Sequence, residues 1–300
     1  MMIRDKLRGV LAPLTTPFDA ATGDVAAVAL RSNARAVLEA GAAGVVVGGS
    51  TGEAPLLSDE ESRRMVGWLR EVVPDDRLLI VGAGRESTRA TVAACCDGAD
   101  QGADAALVRT PAYYAPSMSQ QGLIEHFRAV ADESPIPILV YNIPKYTNLP
   151  VGDAVLTMLA NHPNIVGAKD SSGDLKNFAA YHDAVPDWAL FIGSGALVYA
   201  ALELGAVGAI LGVADFAAGL SVAVTDAFER GDKAAAGQAQ ERLAPLHKEI
   251  VAKYGPAGVK CAMDAVGLTG GSVRAPLRDL RESEAESIAA LVGTAELVPA

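Results

Sequence analysis

Ile165-Val166-Gly167-Ala168-Lys169-Asp170-Ser171 is a short apolar run that closes on polar residues, and the same pattern returns along the whole chain. Working outward, comparable β-branched or apolar runs span Gly9 to Phe18, Gly44 to Ser50, Arg77 to Gly84, Ala105 to Pro111, Ile136 to Pro144, Ala189 to Gly195 and Val207 to Asp215. With the first they make eight, spaced roughly 20 to 35 residues apart and separated by helix-patterned stretches. Ser58 stands before DEESRRMVGWLREV and Ser87 before TRATVAACCDGADQG, each a polar N-cap ahead of an apolar stripe. Eight strands with eight crossovers, in a little over 200 residues, predict an α/β chain closed into a (β/α)8 TIM barrel. A doubly wound open sheet is the runner-up and would need a phosphate-binding fingerprint. Gly82-Ala83-Gly84 follows a strand, but Ser87 occupies the third glycine position of GxGxxG, and there is no GxxxxGK. Beyond about residue 225 the pattern is helical only, including the amphipathic run KAAAGQAQERLAPLHKEIVAKYG. The expected division is a barrel over 1–225 and a helical segment over 226–300 that covers the barrel or builds a subunit interface.

Composition narrows the function. Half of the 300 residues are hydrophobic, yet no uninterrupted apolar stretch approaches the roughly 18 residues needed to span a bilayer. The start MMIRDKLRGV lacks the apolar core of a secretory signal, so a soluble, cytoplasmic chain is expected. A net charge of -11 argues against nucleic acid, whose phosphates call for clustered Lys and Arg. The three cysteines, Cys95, Cys96 and Cys261, are expected to be reduced and buried. His126, His162, His182 and His247 show no HxH or HExxH spacing, so no metal is expected and each reads as a surface or packing residue.

Lys169 ends its strand where an ammonium would be poorly solvated. Desolvation disfavours the charged form, which prepares a lysine amine to attack a carbonyl and form a Schiff base. Lys6, Lys176, Lys233, Lys248 and Lys253 lie in polar or amphipathic surroundings and read as solvated, whereas Lys145 and Lys260 are undecided. In a barrel of this type the site lies at the C-terminal strand ends, which here are polar. Strand two closes on Gly48-Gly49-Ser50-Thr51-Gly52-Glu53, whose hydroxyls and turn N–H groups suit a small carboxylate or else only local backbone bonds. Strand four leads into Thr110-Pro111-Ala112-Tyr113-Tyr114 and strand five into Tyr141-Asn142-Ile143-Pro144, and a tyrosine near Lys169 suits proton transfer. Strand seven ends in Ile192-Gly193-Ser194-Gly195, read as a tight turn.

Taken together, GGSTGE, TPAYY, YNIP and GAKDS, in this order and near these separations, resemble the dihydrodipicolinate synthase and N-acetylneuraminate lyase family of class I aldolases. The resemblance runs from about Gly9 to Leu280. It implies a (β/α)8 barrel with a C-terminal helical extension, a homotetramer built as a dimer of dimers, and chemistry on pyruvate or other 2-oxo acids without metal or organic cofactor. By motif it implies that Lys169 forms the Schiff base and Tyr141 shuttles the proton. It further implies that Ser50 and Thr51 hold the pyruvate carboxylate and that Tyr114, rather than Tyr113, reaches a neighbouring subunit's site. Where the synthases carry an arginine two residues after YNIP, for the carboxylate of aspartate semialdehyde, this chain has Tyr146. KDSSGD, SPIPILVYNIP, HPNIVGAKDS and VRAPL are instead similar to 4-hydroxy-2-oxoglutarate aldolase, in which Ser171 and Gly193 would contact substrate. The resemblance therefore implies cleavage of 4-hydroxy-2-oxoglutarate to pyruvate and glyoxylate. The alternatives are condensation of the 4-hydroxy-tetrahydrodipicolinate synthase type, dehydration of a sugar-derived 2-oxo acid, and a non-catalytic 2-oxo acid binder. Lys145 and Arg109 are the candidates for the distal carboxylate.

Overall fold

The structure, a computed structural model, describes residues 3–295. Eight parallel strands close in sequence order into one barrel, β1 (Gly9–Pro13), β2 (Gly44–Val47), β3 (Leu78–Gly82), β4 (Ala105–Arg109), β5 (Ile138–Asn142), β6 (Ile165–Asp170), β7 (Ala189–Ile192) and β8 (Gly208–Ile210). All eight expected runs contain a strand, and all eight strands are shorter than the run that announced them. Past the strand ends some residues still bond the next strand, as the Ala83 N–H does the Leu107 carbonyl (3.0 Å), while others turn to new partners. Thr15 donates its N–H to the Asp215 carboxylate (3.2 Å), and the Thr16 hydroxyl bonds the Gly52 carbonyl (2.7 Å). Asp215, expected at the end of strand eight, belongs to the first turn of the helix Ala214–Glu229.

Strand alternation divides the core in two. Leu11, Val46, Ile80, Leu107, Leu139, Phe191 and Ile210 fill the barrel lumen. The other strand faces pack with the surrounding helices in an outer apolar layer. Several helices start on polar caps. Ser58 and Glu61 form a reciprocal capping box on Asp59–Arg70, and the Ser87 hydroxyl accepts the Ala90 N–H at the start of Thr88–Asp100. Each satisfies N–H groups that the first turn leaves without intrahelical partners.

The expected boundary at 225 falls inside Ala214–Glu229. After it come Lys233–Leu246, a π-helical turn at His247–Ala252, Lys253–Ala265 and Glu282–Thr294. Residues 296–300 of the expected segment lie outside the described residues. The amphipathic run is not one continuous α-helix: the π turn interrupts it, and Gly255 adopts φ 59° and ψ -139° before Pro256, whose ring disfavours helix at the preceding residue.

A buried ion pair fastens this extension to the rim. Lys260 Nζ lies 2.6 Å from Glu53 Oε1, with the two side chains 1% and 0% exposed. Lys260 also donates to the Ser272 carbonyl (2.7 Å), and the Arg274 N–H donates to Glu53 Oε2 (2.7 Å). The Phe18 ring lies under both cations, at 4.5 Å from Lys260 and 4.2 Å from Arg274. Lys260, undecided from sequence, is thus an internal cation. Only Cys95 of the three free cysteines is fully buried, its thiol pushed up to about 11 by burial; Cys96 and Cys261 are partly exposed.

Candidate active site

Lys169 is the penultimate residue of β6, in register with Tyr141 on β5 and Phe191 on β7. The next register pair, Asn142 and Asp170, faces the other way by strand alternation and locks the two strands. The Asn142 amide donates to Asp170 Oδ1 (2.8 Å), and the same carboxylate accepts the Ser172 N–H (3.0 Å) and hydroxyl (2.7 Å). Lys169 itself is 5% exposed, and its Nζ sits 4.4 Å from the centroid of the Tyr141 ring, which is 4% exposed. Among the described residues, no carboxylate forms an ion pair with this amine.

The amine opens into a cavity of about 250 Å³ that also takes in Ser50, Thr51, Ser171 and Gly193. Six of the seven residues expected in the site are therefore brought together. Local backbone explains three of them. Gly48 turns the chain at φ 67° to present Ser50 and Thr51, a conformation that glycine adopts without the Cβ penalty. At Gly193 a Cβ would lie 2.0 Å from the Ser171 Oγ, so the bare backbone is what leaves that hydroxyl its place.

Tyr114 is the seventh and stands apart. It is 70% exposed, stacked edge-on against the 78% exposed Tyr113 with ring centroids 5.0 Å apart, outside the cavity of its own chain. Its loop is held by Glu86, which accepts the N–H groups of Ala112 (2.8 Å) and Tyr113 (2.9 Å).

Of the two cations considered for a distal carboxylate, Lys145 lines the cavity and donates to the Ala252 carbonyl at 2.8 Å. Arg109 does not: it pairs with Glu86 at 2.9 Å and lines a neighbouring cavity of about 410 Å³. Tyr146, at the expected arginine position, is 50% exposed and borders both cavities.

Two functional candidates were not evident from the sequence. His247 lines the Lys169 cavity, with Nε2 3.2 Å from the Ser194 Oγ, rather than being a surface or packing residue. Burial and the charges of Lys145 and Lys248 hold its imidazole at about 4. The only hint was Pro245 just upstream, a helix-disturbing residue within the run. Asp215 is fully buried, with Oδ1 on the Thr15 N–H and Oδ2 unpartnered. Burial raises its carboxyl well above the usual carboxylate range, against the pull of the Thr15 bond and the Lys169 charge. His126 is also internal, bonded through Nδ1 to the Thr88 hydroxyl (2.9 Å), and burial with the Arg109 charge holds it at about 4. Among the described residues, no three His, Cys, Asp or Glu side chains converge to hold a metal, and no helix is long and apolar enough to cross a membrane.

The dihydrodipicolinate synthetase family model matches residues 6–295. The 4-hydroxy-tetrahydrodipicolinate synthase of Methanoculleus marisnigri is 35% identical over 285 residues, covering 93% of this chain and 96% of the relative. That of Hyphomonas neptunium is 37% identical over 273 residues, with 90% and 92% covered. Among solved structures, the dihydrodipicolinate synthase of Acinetobacter baumannii complexed with pyruvate superposes with a TM-score of 0.92 at 30% identity, covering 97% of this chain and 100% of that one. YagE of E. coli K12, also in complex with pyruvate, gives 0.91 at 25% identity, with 97% and 99% covered. The first two relatives carry the 4-hydroxy-tetrahydrodipicolinate synthase name, not that of the 4-hydroxy-2-oxoglutarate aldolase to which KDSSGD and its neighbouring motifs are similar.

Proposed function

The chain belongs to the dihydrodipicolinate synthetase family, and we propose that it joins pyruvate to a small carboxylated aldehyde through a Schiff base on Lys169, in the manner of the 4-hydroxy-tetrahydrodipicolinate synthases. The observation that carries this reading is a nearly buried amine without a carboxylate partner, 4.4 Å from the Tyr141 ring and opening into a cavity edged by hydroxyls. Lys169 attacks the C2 carbonyl of pyruvate, and loss of water gives the iminium. Loss of a C3 proton then yields an enamine, whose C3 adds to the aldehyde carbon while Tyr141 delivers a proton to the forming C4 oxygen. Hydrolysis frees the 4-hydroxy-2-oxo acid and restores the amine. Ser50, Thr51 and the turn N–H groups hold the C1 carboxylate and orient the carbonyl towards Nζ. Lys145 is the cation on the same cavity wall for the second carboxylate.

The reverse of this addition is a cleavage, and one observation favours it as a second reading. Tyr146 stands where the resemblance expects a guanidinium for aspartate semialdehyde, which favours the shorter glyoxylate and hence cleavage of 4-hydroxy-2-oxoglutarate. The exposed Tyr113–Tyr114 pair supports a homotetramer in which this loop meets a second copy.

Borohydride reduction in the presence of pyruvate, followed by peptide mass mapping, tests the shared step. The expected product is a reduced pyruvyl adduct on Lys169, absent from Lys169→Ala; no adduct, or one on another lysine, refutes it. A panel then separates the readings. Pyruvate consumption with aspartate semialdehyde supports condensation, whereas pyruvate released from 4-hydroxy-2-oxoglutarate, read through lactate dehydrogenase, supports cleavage.

A further inference from the structure

Resting on that reading of Lys169, we propose that Ser194 donates a hydrogen bond to the distal carboxylate of the aldehyde-derived half, and that His247 positions it to do so. The order β5, β6, β7 puts Tyr141, Lys169 and Ser194 side by side along the rim, with Ser194 on the flank of the lysine away from the tyrosine. Ser194 and His247 line the same 250 Å³ cavity as Lys169 and Lys145. The pair is built rather than incidental. His247 opens the π-helical turn, a local widening of the helix that is frequent at functional sites. Its Nε2 lies 3.2 Å from the Ser194 Oγ, while Nδ1 is buried without a partner against Gly195, where a Cβ would come within 3.3 Å of it.

These contacts fix the direction of the hydrogen bond. Burial and the charges of Lys145 and Lys248 keep the imidazole neutral above about pH 5, so one ring nitrogen carries the proton and the other a lone pair. A buried N–H left without an acceptor is the rarer and costlier arrangement, so the proton belongs on Nε2 and the lone pair on the orphaned Nδ1. Nε2–H then donates to the Ser194 Oγ. Among the described residues the serine hydroxyl has no other side-chain or backbone partner, so its own hydrogen is free for an oxygen in the cavity. A hydroxyl donor beside the Lys145 ammonium matches a carboxylate: one oxygen takes the hydrogen bond and the ammonium supplies the charge.

The test compares Ser194→Ala, His247→Phe and His247→Gln with the unaltered protein. Glyoxylate or aspartate semialdehyde, whichever the panel selects, serves as the carboxylated aldehyde, and propionaldehyde as the uncharged one. Borohydride trapping with pyruvate runs in parallel. Expected are Lys169 adducts in all three variants and a rise of about tenfold or more in KM for the carboxylated aldehyde with Ser194→Ala and His247→Phe, the range for a hydrogen bond to a charged group. KM for pyruvate stays within about twofold and propionaldehyde is used equally well, since neither engages this donor. His247→Gln, which keeps an N–H donor, recovers most of the loss. An unchanged KM for the carboxylated aldehyde, an equal loss for propionaldehyde, or His247→Gln no better than His247→Phe overturns the proposal. Absence of the adduct in the unaltered protein overturns the Lys169 reading instead, and this proposal with it.

Discussion

Asp215→Asn is expected to steepen the rise of stability between pH 5 and pH 6, because three buried groups titrate in opposite senses there. His126 and His247 are held at about 4 in the folded chain against an ordinary imidazole value of 6.5. Their contribution is fully present above 6.5 and is lost as pH falls towards 4. Asp215 has the opposite sign: its folded value is raised above 3.8, so its contribution is present below 3.8 and is lost as pH rises. At pH 5.5 the unfolded chain carries about 0.9 proton on each histidine and the folded chain almost none, a difference of about 1.8 protons. The proton that folded Asp215 keeps, its carboxyl being raised by burial, offsets part of this difference. At about 1.36 kcal/mol per proton per pH unit, the two histidines alone give a slope of about 2.4 kcal/mol per unit, which Asp215 lowers. Asparagine removes the offset and brings the slope up to that of the histidines alone. Urea unfolding at fixed ionic strength from pH 5.0 to 6.2, followed by the fluorescence of Trp68 and Trp188, measures it. His126→Gln serves as a control and is expected to lower the slope by about 1.2 kcal/mol per unit. An Asp215→Asn slope equal to that of the unaltered protein would mean a folded Asp215 that is ionised across this window, and the reasoning would be wrong.

Lys260→Met leaves Glu53 charged in a dry site and is expected to cost about 3 to 5 kcal/mol of stability in denaturant titrations; Glu53→Gln combined with Lys260→Met costs less than the two single changes summed. Tyr141→Phe removes the proposed proton carrier but not the amine, so kcat is expected to fall by about 10² to 10⁴ while borohydride still traps pyruvate on the protein. Gly193→Ala brings a Cβ within 2.0 Å of the Ser171 Oγ and 3.1 Å of the Asp170 carbonyl, with an expected loss of about 1 to 3 kcal/mol in thermal melts and a raised substrate KM as Ser171 rotates away.

The barrel was legible because its signal is local. Each strand is an apolar run, and Ser58 and Ser87 announce their helices within four residues of the bonds they make. Lys169 and Tyr141 stand out by the same local signal, each one residue from the end of its strand. What escaped depends on partners distant in sequence. β1 stops early because the Thr15 N–H finds a carboxylate 200 residues away. Arg109 was offered to a substrate because nothing nearby in strand four predicts that Glu86, 23 residues upstream, takes the guanidinium. Lys260 becomes internal only because Glu53 meets it there. His247 was absorbed into an amphipathic pattern, since a π-helical turn changes which way a side chain points without altering the apolar spacing.

The Glu53–Lys260 pair also bears on how such a chain can be rebuilt. Glu53 follows Ser50 and Thr51 in one turn, with its own backbone in the left-handed region at φ 61°, and its carboxylate is gripped from Lys260 and Arg274. Hybrid chains that graft a foreign tail onto this barrel would therefore inherit a misplaced Ser50–Thr51 turn unless that turn and the graft come from the same donor.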